Sequence, residues 1–250
     1  MEVVCCIKSV PNIADEEVQI VHQRVSVGTY PRCLNDWDRY VLEEALRLTE
    51  LQGGSITALT FGGSASEDVL RRAMALGADE AVMLTGSLEE EPRRVAAALA
   101  SVIRARHFDL VLTGAQSSDR QGAEVGGMLA AILGLPFASV VVGVERKEDI
   151  VLVYREIEGG ELEVYEVELP AVLSLQTGIN TPRYVSMRGI RKAATKAITV
   201  ATPDATPNVA VRLVEHRHPP TAVGARMLRG DLKAIAVEVA GIIRERGGLQ

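Results

Sequence analysis

The chain has 250 residues, of which 47% are hydrophobic and 24% are charged, close to the averages of globular proteins. This length allows one large domain or two small ones, and the composition excludes a disordered or collagen-like chain. The net charge is −6, and aromatic residues make up only 4% of the chain. Both values disfavour general binding to nucleic acid, so we expect no nucleic-acid partner.

The length of the apolar runs and the pattern of the cysteines indicate the cellular compartment of the protein. No apolar run approaches the roughly 20 residues needed to cross a bilayer, so we expect no membrane insertion. The N-terminal residues lack the basic start and cleavage site of a signal peptide. Cys5, Cys6 and Cys33 form neither a disulfide framework nor a CxxC pattern, and no metal site is expected. We therefore expect a cytoplasmic protein of a bacterium or archaeon, or a mitochondrial-matrix protein of a eukaryote.

The first two-thirds of the chain alternates predicted strands and helices. Ser64 and Glu67 form a capping-box pattern at the start of the second helix, and Gly77 is placed to end it. This alternation predicts an α/β fold, a Rossmann-like open parallel sheet with helices on both faces. The predicted strands span residues 3–7, 56–61, 81–84 and 109–113, and the predicted helices span residues 38–51, 64–76, 92–103 and about 121–133.

The remainder of the chain follows a different pattern. Four strands are predicted, and residues 158–160 (EGG) between two of them favour a β-hairpin. Residues 202–220 contain several prolines and predict an extended segment, whereas residues 231–246 predict a final helix. We therefore expect an α/β domain over residues 1–195 and a C-terminal arm and helix over residues 196–250. The four strands span residues 139–144, 150–156, 161–168 and 171–175.

Ligands of open parallel sheets bind beyond the carboxyl ends of the strands. That rule selects residues 6–8, 61–63 and 114–125. The last of these leads from a strand into a helix N-terminus, where backbone N–H groups favour phosphate. Arg120 would support phosphate binding, whereas Asp119 could act as a helix cap that needs no ligand. The segment matches neither GxGxxG nor GxxxxGK[ST], so both interpretations remain open.

No set of residues predicts catalysis by this chain. It has no GxSxG motif and no evident Ser/His/Asp set. Glu43 and Glu44 are adjacent in a predicted helix and cannot face the same way. Cys5 and Cys6 lie in a predicted strand with their side chains on opposite faces, and buried cysteines are usually inert. We therefore expect neither acid–base nor covalent catalysis.

Residues 183–196 form a basic segment in an acidic chain. This segment contains five Lys and Arg residues and no acidic residue, with Met187 near its middle. A methionine side chain adapts well to the pocket of a partner. The segment therefore predicts a docking loop for an acidic partner surface, with a solvated basic loop as the alternative.

Six motifs, in this order, resemble the beta subunit of electron transfer flavoproteins. Each motif alone is weak, but six in register are specific. The resemblance covers nearly the whole chain and is strongest up to about residue 195. The motifs are CIKSVP at residues 6–11, NDWD at 35–38 followed by EEALRL at 43–48, LRRAMALGAD at 70–79, REIEGG at 155–160, LPAV at 169–172 and NTPRY at 180–184.

The resemblance implies a heterodimer with an electron transfer flavoprotein alpha subunit. It implies one FAD held chiefly by that subunit, and AMP held by the beta subunit as a structural ligand. It also implies a sheet of the adenine-nucleotide-binding, universal stress protein-like type, with the C-terminal arm and helix packed on the alpha subunit. The implied nucleotide-binding residues are Cys6, Asn35, Asp36, Trp37, Asp38, Phe61, Gly62, Gly114, Ala115, Gln116, Ser117, Ser118, Asp119, Arg120, Gln121, Gly122, Ala123, Glu124 and Val125.

The same resemblance implies an electron carrier rather than a catalyst. It would take electrons from a flavin dehydrogenase of the acyl-CoA dehydrogenase type, in fatty acid oxidation, and pass them to a membrane quinone oxidoreductase. The implied partner-recognition loop is 183–192, with Arg183, Tyr184, Met187, Arg188, Ile190, Arg191 and Lys192 as its docking residues.

The nucleotide loop departs from the family pattern. Val125 stands where the family has a threonine that would bond a phosphate. Residues 123–126 (AEVG) and 178–180 (GIN) resemble the electron-bifurcating branch, in which NADH reduces a second FAD that replaces AMP. Residues 120–122 (RQG) replace the Gly-Asp-Thr of that branch. AMP is favoured because it requires fewer pocket residues. A second FAD is the alternative, and a free-standing nucleotide-binding protein related to universal stress proteins is a third hypothesis.

Overall fold

The computed structural model describes residues 1–13, 18–25, 30–87, 91–203, 211, 213–220 and 224–248. The chain divides into two compact units. The larger unit contains Met1–Gln19 and Val25–Val214, and the smaller one contains Ile20–Arg24 and Glu215–Gln250.

The described residues form strands and helices in the alternation that the sequence predicts. The strands are β1 (Glu2–Cys6), β2 (Ser9–Pro11), β3 (Ile20–Val21), β4 (Arg24–Val25), β5 (Arg32–Leu34), β6 (Ser55–Gly62), β7 (Glu80–Thr85), β8 (Leu110–Gly114), β9 (Phe137–Lys147), β10 (Ile150–Glu156), β11 (Leu162–Glu168), β12 (Ala171–Leu175) and β13 (Thr199–Ala201). The helices are α1 (Asp36–Gln52), α2 (Glu67–Leu76), α3 (Pro92–Ile103), α4 (Val125–Leu133), α5 (Met187–Thr195) and α6 (Leu232–Glu245).

The larger unit is built on a nine-stranded sheet with the order β11-β10-β9-β12-β8-β1-β6-β7-β13. Seven of these strands, from β9 to β13 along that order, pair in parallel. Strands β10 and β11 extend the β9 edge as an antiparallel meander. The predicted α/β class with a mostly parallel open sheet is confirmed, and strand β13 carries this sheet past residue 195.

Side chains of the central strand alternate between two apolar layers because neighbouring residues of a strand point to opposite faces. Val3 and Cys5 belong to the layer that contains the buried residues of α1 and α2. Val4 and Cys6 belong to the layer that contains those of α3 and α4. Both cysteines are buried, and burial raises the pKa of each thiol, that of Cys6 to about 12. They are therefore held as neutral thiols on opposite faces.

Helix α4 begins later than predicted. It starts at Val125 rather than near residue 121. Gln121 and Ala123 have φ angles of 52° and 53°, in the left-handed region that non-glycine residues seldom adopt and that a helix excludes. The preceding residues therefore form a turn rather than the first turn of the helix.

The start of α2 also differs from the prediction. A 3-10 turn over Ser64–Ser66 precedes the helix, and the residues at its start make no side-chain capping bond. The predicted capping box of Ser64 and Glu67 is therefore wrong. Gly77 does end α2, with a φ of 144° that suits glycine.

The smaller unit contains the last helix, α6. Asp231 caps this helix by accepting a hydrogen bond from the backbone N–H of Ala234 at 2.8 Å. Leu232 and Val237 are 88% and 67% exposed, and α6 has no buried residue. Residues 204–210 and 212 of the predicted extended segment lie outside the described residues. The packing of this helix on a partner stays a prediction.

Candidate functional site

The main cavity lies where the topology of the sheet reverses. The chain runs from β1 to β6 and β7 on one side, and then crosses to β8 on the other side of β1. The carboxyl ends of β1 and β8 flank this crossover, which is where open α/β sheets bind ligands. The cavity contains about 1000 Å³ of space, including the part open to solvent.

Most of the predicted nucleotide-binding residues line this cavity. The residues that do so are Cys6, Asn35, Asp38, Phe61, Gly114, Ala115, Gln116, Ser117, Arg120, Gly122, Ala123, Glu124 and Val125. The predicted residues outside the lining are Asp36, Trp37, Gly62, Ser118, Asp119 and Gln121. Four separate parts of the chain, around residues 6, 35–38, 61 and 114–125, therefore meet at one edge of the sheet.

Asn35 and Asp38 join the start of α1 to the segment after β8. The side-chain amide of Asn35 donates to the carbonyl of Gln116 at 3.0 Å, and its Oδ1 accepts from the N–H of Ser118 at 3.1 Å. Asp38 accepts hydrogen bonds from the N–H of Lys8 at 2.6 Å and from Asn35 at 3.1 Å. These bonds fix the cavity wall before any ligand arrives.

The electrostatic state of Asp38 follows from its position. Its side chain is buried, and that burial raises the pKa of the carboxyl to about 7. The hydrogen bonds from Lys8, Asn35 and Gly114 act in the opposite direction and offset only part of the effect. A carboxyl that changes charge near neutral pH is therefore part of the cavity wall.

Lys8 links the end of β1 to the turn before α4. Its Nζ donates to both carboxylate oxygens of Asp119, at 2.6 and 2.8 Å, and to Ser117 Oγ at 3.1 Å. Burial lowers the pKa of Lys8. Burial acts to raise the pKa of Asp119, but the hydrogen bonds from Lys8 and Ser117 lower it overall. Asp119 thus pairs with Lys8 and does not cap α4, whose N-cap residue is Glu124.

Two helices start at the cavity. Helix α4 has Glu124 at its N-cap, and α3 has Glu91 there; neither N-cap makes a side-chain capping bond. The first backbone N–H groups of a helix have no partner within it. With the helix dipole, such ends favour an anionic ligand. Within the described residues, no group of three or more His, Cys, Asp or Glu could hold a metal ion.

Comparison with known proteins agrees with this geometry. The profile of the electron transfer flavoprotein domain matches residues 26–206. The electron transfer flavoprotein subunit beta of Methylophilus methylotrophus is 33% identical over 229 residues, which cover 86% of this chain and 87% of that protein. The chain belongs to the electron transfer flavoprotein family. Its resemblance to beta subunits is confirmed.

Other relatives carry the same name or a related one. The electron transfer flavoprotein subunit beta of Bacillus subtilis is 31% identical over 222 residues, covering 84% of this chain and 85% of that protein. Protein FixA of Azorhizobium caulinodans is 33% identical over 210 residues, covering 80% and 74%. Membership of this family implies electron transfer, association with a flavin and an alpha-subunit partner. The structure places no helix among the described residues that is long and apolar enough to cross a membrane.

Several residues of the cavity were missed from the sequence. Thr113 and Ser174 line the cavity from the second-to-last positions of β8 and β12. In the sequence they look like ordinary strand residues. The wall formed by α3 follows β7, so the carboxyl-end rule would have selected it had it been applied to that strand. The missed residues are Ser87, Pro92, Val95, Leu99, Thr113, Gly126 and Ser174, whereas Ile7 and Lys8 fall in the segment 6–8 that the carboxyl-end rule selects.

The predicted partner-recognition loop is mostly a helix. Helix α5 covers Met187–Thr195, and Ser186 caps it by accepting from the N–H of Gly189 at 3.0 Å. The expectation of a loop is therefore wrong over residues 187–192, whereas residues 183–186 precede the helix, and the docking role of the segment stays a prediction. Met187 and Ile190 stand three residues apart, so both project from the same side of the helix, and they are 68% and 47% exposed.

Arg183 binds within the chain. Its guanidinium donates to Glu43 at 2.9 and 3.1 Å and to Glu50 at 2.6 and 3.0 Å. Glu44 receives the side-chain amide of Asn180 at 2.9 Å. The adjacent Glu43 and Glu44 thus both bind the segment over 180–183, although they are consecutive in α1. Of the predicted docking residues, Arg183 anchors the segment, whereas Tyr184 is 97% exposed.

Proposed function

We propose that this chain is the beta subunit of a heterodimeric electron carrier. It would take electrons from a flavin dehydrogenase of the acyl-CoA dehydrogenase type through FAD shared with the alpha subunit. It would pass them to a membrane quinone oxidoreductase. The observation that carries the proposal is the cavity at the β1–β8 crossover, with the uncapped start of α4 in its wall, in a chain of this family.

The cavity residues fit the adenylate part of a nucleotide. The start of α4 offers backbone N–H groups to a phosphate, and Arg120 lines the same cavity. Apolar side chains of the same lining, those of Phe61 and Val95, offer a surface for an adenine ring. We therefore propose that AMP binds here as a structural ligand.

The redox chemistry of the complex belongs to the flavin. FAD, when bound, supplies the group that accepts and donates electrons. The residues of this chain bind the nucleotide, hold the cavity wall through Asn35 and Asp38, and present α5 to a partner. The chain itself makes and breaks no bond.

Helix α5 is the proposed docking site for the dehydrogenase. Tyr184, Met187 and Ile190 are exposed apolar groups, and they are accompanied by the basic residues Arg188, Arg191 and Lys192. Apolar anchors surrounded by charge are typical of interfaces in which charge steers the encounter. The matching partner surface is an apolar pocket with acidic residues at its rim.

The nucleotide content of the complex tests the proposal. The chain is co-expressed with its alpha subunit, the purified complex is denatured, and the released FAD and AMP are quantified by chromatography. One FAD and one AMP per heterodimer are expected. A complex without adenine nucleotide in the beta subunit, or a stable chain that binds no flavoprotein partner, would reject the proposal. The second result would favour a free-standing nucleotide-binding protein.

The pattern at Val125 supports a second candidate function. In that case the cavity holds a second FAD, which NADH reduces, and the protein is half of an electron-bifurcating enzyme. The AEVG sequence over 123–126 favours this assignment. Two FAD and no AMP per heterodimer, with rapid bleaching of the beta-subunit flavin by NADH, would establish it and remove AMP from the proposal.

A further inference from the structure

One cavity residue has a polar atom that this chain does not use. Thr113 is only 5% exposed, and its Oγ1 is buried without a hydrogen-bond partner among the residues that the structure describes. A buried hydroxyl without a partner loses its hydrogen bonds to water and gains none in return. Because Thr113 lines the cavity, a ligand in the cavity is the natural source of the missing bond.

The hydroxyl lies against the first turn of α4. A Cβ built on Gly126 would stand 2.8 Å from Thr113 Oγ1, so only a residue without a side chain allows this approach. Gly126 is the second residue of α4. The unused hydroxyl and the uncapped helix start, two independent features, therefore converge on the same point of the cavity wall.

We propose that Thr113 Oγ1 donates a hydrogen bond to a phosphate oxygen of the nucleotide seated at the start of α4. A phosphate oxygen is a strong acceptor, and a hydroxyl bound to it is charge-assisted. The inference rests on the proposed function, because it takes an adenine nucleotide as the ligand. It also accounts for Val125, since the hydroxyl that this residue lacks is supplied from β8 instead.

The chain offers a matched control. Thr60, in β6, is fully buried and its Oγ1 also has no hydrogen-bond partner, but it does not line the cavity. Thr113→Val and Thr60→Val each remove one unpartnered hydroxyl at nearly constant volume. Thr113→Ser keeps the hydroxyl and removes a methyl group. All three are compared in the complex with the alpha subunit.

The readouts are the adenine nucleotide retained per heterodimer and the dissociation constant for AMP measured by calorimetry after the bound nucleotide is stripped. Thr113→Val is expected to raise the dissociation constant about tenfold or more, as loss of a charge-assisted bond does. Thr60→Val is expected to leave it unchanged, and Thr113→Ser to restore most of the affinity. The FAD of the alpha subunit is expected to be retained in all variants.

Several results would overturn the inference. Equal AMP affinity in Thr113→Val and the parent would show that the hydroxyl does not touch the ligand. Equal losses in Thr113→Val and Thr60→Val would show a general packing effect. A parent complex that neither contains nor binds an adenine nucleotide would reject the proposed function itself, and this inference with it. If the parent releases a second FAD, retention of that FAD is compared across the same variants, because its adenylate phosphate would accept the same bond from Thr113. Equal retention in Thr113→Val and the parent would then overturn the inference.

Discussion

The cavity edge and helix α5 are built in opposite ways within the same unit. At the cavity edge, polar side chains from three parts of the chain bind one another. The groups left without a partner among the described residues, Thr113 Oγ1 and the start of α4, belong to residues of the cavity wall. Along α5, the polar groups that hold the helix in place bind other parts of the same chain. The groups left over there are exposed apolar side chains, Met187 and Ile190.

The anchors of α5 are found on its neighbour α2. Arg71 donates to the carbonyls of Ala193 and Lys196 at 2.9 and 2.5 Å. Lys196 Nζ in turn donates to the carbonyls of Ala78 and Asp79 at 3.0 and 3.1 Å. Arg71 of α2 therefore binds carbonyls at the C-terminal end of α5, and Lys196, just after α5, binds carbonyls of the segment that follows α2.

The contrast teaches what each region can recognise. A wall of fixed hydrogen-bonding groups around an inward-facing cavity suits a small polar ligand. A rigid helix with outward-facing apolar anchors suits a protein surface. Each region contains a glycine at a close approach, Gly114 at the cavity and Gly189 on α5. Substitution of each glycine perturbs one region without the other.

Gly114→Ala is expected to have the largest effect. The new Cβ would stand 2.5 Å from Asp38 Oδ1 and 2.8 Å from Trp37 Cβ, so the wall must move. We expect the free energy of unfolding to fall by about 2–3 kcal/mol, and adenine nucleotide to be lost on gel filtration. Urea titration of the complex measures the first effect, and chromatography of the denatured complex measures the second.

Gly63→Ala is the control for that change. Gly63 also follows a strand of the sheet, but its added Cβ meets no atom within 4 Å and its φ is −103°. Stability and nucleotide content are expected to be unchanged. A Gly114→Ala variant as stable and as nucleotide-rich as Gly63→Ala would contradict the close approach at the cavity.

Gly189→Ala is expected to disrupt the packing of α5 on α2. Its Cβ would stand 2.2 Å from the carbonyl oxygen of Ala75, so α5 must move away from α2. We expect the free energy of unfolding to fall by about 1–2 kcal/mol, because the better helix propensity of alanine offsets part of the clash. The KM for the dehydrogenase should rise while FAD and AMP are retained.

Gly241→Ala, in α6, is the matched control because its added Cβ meets no atom within 4 Å. It should gain the helix propensity of alanine without a clash. Two results would contradict the assignment of nucleotide binding to the cavity edge and of docking to α5. One is loss of nucleotide in Gly189→Ala, and the other is an unchanged KM in a variant whose α5 is displaced.

The sequence predicted the fold better than it predicted these two regions. Strands β10 and β12 have the predicted bounds because apolar runs bordered by turn residues mark them. The start of α4 was misplaced because the left-handed Gln121 and Ala123 carry no local signal. Helix α5 was missed although Met187, Ile190 and Ala193 repeat every three residues, since the density of basic residues favoured a loop.

The candidate site shows the same limit. Residues of the loop after β8 were selected because glycine and polar residues mark a strand-to-helix connection. Thr113 was not selected from the sequence, because whether a threonine hydroxyl has a hydrogen-bond partner depends on side chains distant in sequence. Family resemblance supplied Asp36 and Trp37 as well, yet the side chain of Trp37 binds Gln176 at 2.7 Å outside the cavity.

Met187→Glu probes the surface of α5 without moving the helix. Met187 is 68% exposed, so its replacement is expected to leave the fold unchanged, whereas a carboxylate on the docking face meets an acidic partner surface. We expect kcat/KM for the dehydrogenase to fall about tenfold or more. Stopped-flow reduction of the flavin by the dehydrogenase measures it, with unchanged FAD content as the check on assembly.

Met187→Leu keeps an apolar side chain of similar size and should retain the rate. Equal rates in the Met187→Glu variant and the parent would place the dehydrogenase elsewhere. An equal loss in Met187→Leu would mean that shape rather than charge decides the contact.

The smallest expected effect is a pH dependence confined to the cavity edge. Burial raises the pKa of Asp38 to about 7, above its value of about 3.9 in an unfolded chain. Between these two values the folded state holds a proton that the unfolded state has released. The contribution of Asp38 to the free energy of unfolding is therefore fully present below the unfolded pKa and falls as pH rises towards 7, by at most about 1.4 kcal/mol per pH unit.

Between pH 6 and pH 8 we expect a loss of about 1 kcal/mol from this group, because its titration is completed there. Carbon NMR of the Asp38 carboxyl follows the titration directly, and the difference in stability between the parent and Asp38→Asn across this range gives its energy. A carboxyl midpoint below about 3.9, the value of an unperturbed aspartate, would mean that the hydrogen bonds from Lys8, Asn35 and Gly114 outweigh burial. The cavity wall would then carry a fixed negative charge between pH 6 and pH 8, and the difference in stability between the parent and Asp38→Asn would not change across that range.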